Sequence, residues 1–265
     1  MKEKKHILSK IYIILLILFF YLPIIYTVLF SFNSSKSLSK FSGFSLQWYE
    51  KMFNNSDMVN SIYYTISIAI IATIVSTVFG TITAIGLSKS GKKMRSAVSH
   101  INDLPIMNPD IVTGIGLLMF FSSLAIPKGY VTMLLSHIMF CTPFVILSIM
   151  PKLRALDPNL IDAALDLGCT PLKALTSVII PQISSGIFAG ALVAFTMSFD
   201  DFIISYFVTG NGVNNISIMV YTMSKRINPS INALSSVVIL IITMCLILSN
   251  ALPILKQRIR KEKNL

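Results

Sequence analysis

Apolar residues in this chain are gathered into long blocks that polar stretches separate. Six blocks have roughly the 20 apolar residues that a helix needs to cross the hydrocarbon core of a bilayer. Their bounds are Ile7–Phe32, Ile62–Leu87, Ile101–Ile126, Val131–Met150, Ile183–Val208 and Ala233–Leu255. Little of the chain remains for a soluble domain. The pattern predicts an all-α integral membrane protein, with six transmembrane helices in a single domain over residues 1–265.

Composition agrees with a bilayer as the solvent, since only 12% of the residues are charged against roughly 25% in soluble domains. The first block follows the basic segment "MKEKK", as in a secretory signal peptide. Its apolar stretch is too long for one, however, and no cleavage site of the A-x-A type follows. We therefore expect Ile7–Phe32 to be retained as a helix.

The net charge of +11 follows from the placement of Lys and Arg along the chain. Most of them lie before or near the start of the first block, between the second and third, between the fourth and fifth, and after the sixth. These are Lys2, Lys4, Lys5, Lys10, Lys89, Lys92, Lys93, Arg95, Lys152, Arg154, Lys173, Lys256, Arg258, Arg260, Lys261 and Lys263. Because cytoplasmic loops are rich in Lys and Arg, both termini are predicted in the cytoplasm, and no nucleic-acid partner is needed to explain the charge.

Motifs for enzymatic chemistry are missing from the sequence. The segment "GLSKSGKK" fits G-x-x-x-x-G-K, but it has Lys93 where a P-loop has Ser or Thr, and it follows an apolar span rather than a strand. We interpret it as a basic turn facing lipid head groups. HExxH, GxSxG and clustered Cys and His ligands are absent, and Cys141, Cys169 and Cys245 suggest no disulfide framework.

The polar stretch 151–182 has strong helix signals. Asp157 and Pro158 are suited to the cap and first position of a short helix, and Gly168 to a left-handed cap at its end. The apolar residues of this helix recur at i, i+3, i+4 and i+7, and they are Leu160, Ala163, Ala164 and Leu167. This stripe either packs against its own bundle or docks in a groove of another protein.

A second helix is predicted in the same stretch. Thr170 is a suitable cap, Pro171 a suitable first residue, and Pro181 is expected to stop the helix after Ile180.

Two adjacent acids, Asp200 and Asp201, interrupt the fifth block. Each would cost roughly 2.5–3.5 kcal/mol at the centre of a bilayer. On a continuous helix from Ile183 they lie about 26 Å along a core of about 30 Å, and hence in its outer part. They either reach the outer interface or pair with a neighbouring helix, or they line a water-filled pathway. The last option is favoured by a small and polar stripe formed by Ala191, Ala194, Ser198, Asp201 and Ser205.

Three further polar or aromatic residues have structural explanations. Asp110 follows Pro105 and Pro109 and could cap a helix that resumes there. Trp48 is suited to an interfacial anchor. His137 lies inside the fourth block with no acid in that block, which favours a hydrogen-bonded structural histidine over a proton relay.

Several motifs carry a family resemblance. The segment "DAALDLGCTPLKALTSVIIP", Asp162 to Pro181, resembles the EAA loop of ABC-importer permeases, with Asp162 where Glu is more common. Together with "FSLQWYEKMF", "LPIMNPDIVTGIGLL", "SFDDFIISYFVTG" and "INPSINALSS", it is similar to permeases of spermidine/putrescine importers, the PotC type. The resemblance implies a type I ABC importer permease fold, also called MetI-like, and translocation of polyamines into the cytoplasm.

The same resemblance implies roles for individual residues. A coupling loop, 151–182, would dock on an ATPase through Leu160, Asp162, Ala163, Ala164, Leu167, Gly168 and Pro181. A substrate pathway would include Trp48, Asp110, Ser198, Asp200 and Asp201.

Partners are implied as well. These are a second permease subunit of the PotB type, a dimer of PotA-type ATPase subunits that uses ATP and Mg²⁺, and an extracytoplasmic PotD-type binding protein. The chain itself would bind no cofactor or metal and would be no enzyme, and it would lie in the cell membrane of a bacterium. The alternatives are a permease for another small solute and an ion-coupled transporter, which should show an internal repeat that we do not find.

Overall fold

The computed structural model describes residues 2–157, 159–224, 228–244 and 247, with the backbone alone for residues 2–9, and most of these residues are helical. The helices are α1 Lys2–Ser31, α2 Gln47–Phe53, α3 Ser56–Lys89, α4 Lys92–Met107, α5 Asp110–Ser123, α6 Tyr130–Arg154, α7 Leu160–Asp166, α8 Pro171–Ala174, α9 Ile180–Asp200, α10 Ile203–Val208, α11 Ile216–Ser224 and α12 Ser230–Met244, with a π-helical turn at Leu175–Ile179. These ranges contain no strand, only an isolated bridge between Asn33 and Phe44. The predicted all-α class is confirmed.

Four helical segments are long and apolar enough to cross a membrane, and a fifth is added if α4 and α5 form one broken span. The four are Lys10–Ser31, Ser56–Lys89, Tyr130–Arg154 and Pro171–Asp200. Helix α12 covers the described part of the sixth predicted span, whose remainder to Leu255 lies outside the described residues. The number of six spans therefore stays a prediction. Pro158, Cys245 and the basic residues from Lys256 onward also lie outside the described residues.

The third predicted span, Ile101–Ile126, is two helices rather than one. Helices α4 and α5 meet at an angle of 106°. Asn108, between them, is extended with φ −82° and ψ 141°. The cause is Pro109, because a proline disfavours helical backbone at the residue before it and donates no hydrogen bond itself. Pro105, in contrast, lies inside α4.

The fifth predicted span, Ile183–Val208, is also interrupted. Helix α9 ends at Asp200, and Asp201 is extended with φ −59° and ψ 127° before α10 begins at Ile203. The expectation of one continuous helix through both acids was wrong. The carbonyls of Asp200 and Asp201 at the break accept hydrogen bonds from the side chains of Ser217 and Asn215, as irregular backbone within a membrane requires.

Pro181 does not stop its helix, contrary to the prediction. The segment from Pro171 to Asp200 is one long helical stretch, and Pro181 is at the start of α9, directly after the π-helical turn. A proline lacks an N–H and clashes with the carbonyl four residues earlier. A π-helical turn adds a residue to the ring between carbonyl and donor, so it accommodates such a defect without breaking the helix. Loop 151–182 is consequently continuous with the fifth span.

The chain divides into two compact units, residues 60–219 and the flanking segments 1–59 and 220–265. In the first unit α6 packs closely against α9. A Cβ atom on Gly190 would lie 3.2 Å from the Cα of Val145, and one on Gly186 would lie 3.2 Å from the carbonyl oxygen of Ser148. The two glycines, four residues apart, form the small surface through which membrane helices approach each other.

We expect Gly190→Val to destabilise the protein by about 1–3 kcal/mol, since its methyl groups overpack a contact between two backbones. Thermal unfolding of the purified chain in detergent measures this. Gly116→Val is the matched control because a Cβ at Gly116 meets no atom within 4 Å. Equal stability of the two variants would contradict close packing at Gly190.

Candidate functional site

A buried polar cluster occupies the break between α9 and α10. Asp201 caps α10, because its Oδ2 accepts hydrogen bonds from the backbone N–H and the hydroxyl of Ser205, both at 2.7 Å. Its Oδ1 accepts a longer bond from the N–H of Ile204 at 3.3 Å. A carboxylate that accepts the first free N–H groups of a helix is a typical cap. The side chain of Asp201 is only 8% exposed.

His137 of α6 joins this cluster to the end of α9. Its Nδ1 is 2.7 Å from the Oγ of Ser198, and its Nε2 is 2.9 Å from the Oγ of Ser205. The same Nε2 lies 3.6 Å from Oδ2 of Asp201. The predicted hydrogen bonding of His137 is confirmed, and its structural role stays a prediction. The fourth block contains no acid, but Asp201 at the break in the fifth span lies beside the ring.

Asn215, just before α11, completes the cluster. Its Nδ2 donates to the backbone carbonyl of Asp201 at 2.7 Å and to the hydroxyl of Ser205 at 3.0 Å. The next residue, Ile216, donates its N–H to the hydroxyl of Thr65 on α3 at 2.8 Å. The cluster therefore ties α3, α6, α9, α10 and α11 together. Asn215 was missed because a single Asn ahead of an apolar helix indicates a cap and nothing more.

Three members of the small and polar stripe predicted on the fifth span are buried within the protein. Ala194, Ser198 and Ser205 are almost fully inaccessible, and the break after Asp200 rotates Ser205 out of the register of a continuous helix. The stripe is therefore not one helical face, and its role along a pathway stays a prediction. Ser198 bonds His137.

A cavity of about 380 Å³ lies beside the break between α9 and α10, and all three acids of the predicted pathway are found around it. Asp110, Asp200 and Asp201 line it. Its apolar lining consists of Phe140, Met197, Phe202, Ile203 and Ile204. Asp110 and Asp200 are exposed. Asp110 does not cap α5, since Pro109 holds the cap position, so that hypothesis was wrong.

This cavity is formed because α5 and α10 pack closely side by side. A Cβ atom on Gly114 would lie 2.8 Å from the ring of Phe207 and 3.5 Å from the Cα of Ile204. The glycine lets α5 approach α10 and so brings its first residue, Asp110, to the same cavity as the acids that end α9.

Trp48 is placed in the other unit, where it does not line this cavity. It is 3% exposed, and its Nε1 donates to the backbone carbonyl of Asn33 at 2.6 Å. The Nζ of Lys51 lies 4.5 Å from the ring centroid, a cation–π distance. Trp48 therefore holds α2 to the end of α1, and it is no exposed interfacial anchor.

Loop 151–182 has the capping geometry that the sequence predicts at Gly168. This residue has φ +81°. The N–H of Gly168 donates to the carbonyl of Leu165 at 2.9 Å, and that of Cys169 to the carbonyl of Ala164 at 3.0 Å. Together these bonds form a Schellman motif, which favours glycine at the left-handed position.

The starts of the two short helices differ in how well they were predicted. Asp157 accepts the N–H of Asn159 at 2.9 Å, but the cap position belongs to Asn159 and α7 begins at Leu160. Thr170 caps α8 by accepting from the N–H of Lys173 at 3.4 Å, and Pro171 is the first residue of that helix. The second prediction is confirmed.

The apolar stripe on α7 is divided between two surroundings. Leu160 is half-buried and Ala164 buried, next to the core of their own unit. Asp162 and Ala163 are exposed, and Leu167 is 86% exposed. Beyond Gly168, Leu172 is 71% exposed. Packing against its own bundle therefore holds for one side of the helix. The other side leaves an apolar surface facing outward around Gly168, and its docking in another protein stays a prediction.

Comparison with known proteins identifies the family. Residues 76–261 match the family model described as "Binding-protein-dependent transport system inner membrane component". The chain belongs to this family. The permease is 33% identical over 247 residues to the spermidine/putrescine transport system permease protein PotC of Haemophilus influenzae, covering 93% of each chain. It is 35% identical over 229 residues to the putrescine transport system permease protein PotI of Escherichia coli, covering 83% of this chain and 82% of that one.

Solved structures agree on the fold. A bacterial ABC transporter involved in the import of the acidic polysaccharide alginate superimposes with a TM-score of 0.75 at 14% identity, covering 95% of the permease and 96% of that chain. An amino acid ABC transporter with histidines gives a TM-score of 0.57 at 17% identity, covering 80% and 98%. The expected ABC importer permease fold in a multi-pass inner membrane protein is confirmed.

Proposed function

We propose that the permease moves polyamines across the membrane into the cytoplasm as one subunit of an ATP-driven importer. The observation that carries the proposal is the cavity at the α9–α10 break, where Asp110, Asp200 and Asp201 converge. The names of the PotC and PotI relatives support it independently.

The chemistry of the cavity suits a flexible polycation. Ammonium groups lose their hydration at a cost that carboxylates can offset, and an acid inside a membrane protein indicates a substrate or ion path. Asp201 already accepts three hydrogen bonds within the protein, so Asp110 and Asp200 have more free acceptor capacity. The aromatic rings of Phe140 and Phe202 line the same cavity and could add cation–π contacts.

The remainder of the importer is part of the proposal. A second, PotB-type permease would complete the pathway, a PotD-type binding protein would deliver the polyamine, and PotA-type ATPase subunits would hydrolyse ATP with Mg²⁺. The exposed apolar surface around Gly168, with Leu167 and Leu172, supports docking of an ATPase. Both termini would be cytoplasmic. Closure of the ATPase would move loop 151–182, and the unbroken helix from Pro171 to Asp200 would carry that movement to the acids.

Neutralising the exposed acids tests the substrate. We expect Asp200→Asn and Asp110→Asn each to lower the maximal rate of labelled spermidine uptake by about tenfold or more, because a hydrogen bond to a charged group contributes about 1.5–3 kcal/mol. Uptake into vesicles that contain the whole importer measures this. Asp57→Asn is the control, since Asp57 is an exposed acid that does not line the cavity.

Competition decides the substrate class. Excess putrescine should inhibit uptake, whereas neutral amino acids and anions should not. Unchanged maximal uptake rates in both cavity variants would refute the site. Competition by an unrelated solute instead of putrescine would refute the polyamine and favour another small solute.

A further inference from the structure

A second cavity, of about 360 Å³, lies at the other end of the helical unit, beneath α7. Five structural segments meet there: the ends of α3 and α6, the start of α4, helix α7 and the π-helical turn. Its walls are apolar and consist of Ile85, Met150, Leu153, Leu156, Ile161 and Ile179. Its polar lining consists of Ser88, Lys89, Arg95, Arg154 and Asp157. The cavity thus combines three cations and one acid with a hydrocarbon-like floor.

The cations of this cavity are not neutralised by its acid. Within the described ranges, Asp157 forms no ion pair with Lys89, Arg95 or Arg154. Its Oδ1 accepts the backbone N–H of Asn159 instead. A surplus of positive charge therefore faces a pocket that an anion can enter.

The guanidinium of Arg95 is held in one orientation by hydrogen bonds to backbone carbonyls. Its Nε donates to the carbonyl of Leu87 at 3.0 Å, and one terminal nitrogen donates to the carbonyls of Ser88 at 2.6 Å and Ser90 at 3.1 Å. These carbonyls end α3, where the helix dipole would repel an anion. The guanidinium masks that negative end, and its other terminal nitrogen keeps two N–H groups for a ligand.

We propose that this cavity binds the phosphate of an anionic phospholipid, with the acyl chains against the apolar floor. Basic pockets between membrane helices on the cytoplasmic side are suited to anionic head groups. Free phosphate offers the same anion, but only a lipid also fills the six apolar walls. A bound lipid contacts Ile161 of α7, so it stabilises loop 151–182 in the position seen here and links the activity of the importer to the anionic lipid content of the membrane.

Lipid retention by the purified full-length chain tests this without any transport measurement. The chain is reconstituted with phosphatidylcholine and phosphatidylglycerol, stripped with detergent, and its retained lipids are counted by native mass spectrometry. We expect the double variant Lys89→Gln, Arg154→Gln to lower the ratio of retained phosphatidylglycerol to phosphatidylcholine by about fivefold for each cation removed. The matched control is Lys92→Gln, Lys93→Gln, which removes the same charge from the exposed start of α4, from residues that do not line the cavity.

Two further arms separate the possible outcomes. Asp157→Asn removes the one acid among the described lining residues and keeps an oxygen for Asn159, so it should raise the retention of phosphatidylglycerol. Adding inorganic phosphate to the wild type should leave it unchanged. Equal losses in both double variants would indicate ordinary surface attraction and overturn the site. Displacement by inorganic phosphate, or no loss in the cavity variant, would overturn the lipid as its ligand.

Discussion

We expect His137→Leu to lower the stability of the permease by about 2–4 kcal/mol and to abolish most uptake. His137 bonds Ser198 and Ser205, which belong to the two sides of the α9–α10 break. Without it, the hydroxyl of Ser198 loses its bond to α6, and a buried polar group without a partner costs about 1–3 kcal/mol. Asp201 would also lose its polar neighbour at 3.6 Å. The midpoint of thermal unfolding should fall by roughly 5–15 °C.

Two variants make this result specific. His100→Leu is the matched control, because His100 is an exposed histidine on α4 and its loss should change neither stability nor uptake. His137→Gln retains one donor and one acceptor and should restore part of both. Wild-type uptake by His137→Leu would show that the break in the fifth span holds its shape without the histidine.

The second large effect is expected at Gly168. A side chain there must adopt φ +81°, which costs an L-residue about 1–2 kcal/mol. A Cβ would meet no atom within 4 Å, so the change distorts the turn without disturbing the core. Aspartate also places a charge beside the exposed Leu167. We expect Gly168→Asp to insert into the membrane at normal yield and to lose at least about tenfold in co-purified ATPase, since a distorted turn and a misplaced charge each cost on the order of 1 kcal/mol at an interface.

Gly91→Asp is the control for a charge added in a turn that is also predicted to be cytoplasmic. Gly91 has an ordinary φ of −61°, and a Cβ on it also meets nothing within 4 Å. Gly168→Asn should retain more ATPase than Gly168→Asp, because Asn tolerates the left-handed region and is uncharged. Normal co-purification with Gly168→Asp would remove the basis for docking at this turn.

Prolines show how far local rules predict the fold. Pro109 breaks its span, Pro143 and Pro151 lie inside α6, and Pro181 is accommodated by a π-helical turn. The local defect is the same in every case, a missing N–H and a crowded carbonyl. Whether the helix bends, continues or stops depends on which neighbouring groups can satisfy the freed carbonyl. These groups come from distant parts of the chain, so the residues next to a proline do not predict the outcome.

The candidate site was predicted in part. Asp110 and Asp200 were found as acids in apolar surroundings, and they do line one cavity. The inward direction of Asp201 could not be predicted, because it depends on Ser205 beyond a break and on His137 from another helix. Trp48 was assigned to the same pathway through the family resemblance alone. Its indole N–H instead donates a hydrogen bond to the carbonyl of Asn33 in the other unit.

The sequence by itself determined the membrane class, the apolar spans, the charge bias of their connections and the left-handed turn at Gly168. A bilayer acts on each segment separately, and a cap is made by a few adjacent residues, so both leave complete local signals. Only the tertiary structure decided where the third and fifth spans break and which acids meet in a cavity. Those outcomes rest on hydrogen bonds between helices that are far apart along the chain, such as the bond from His137 to Ser198.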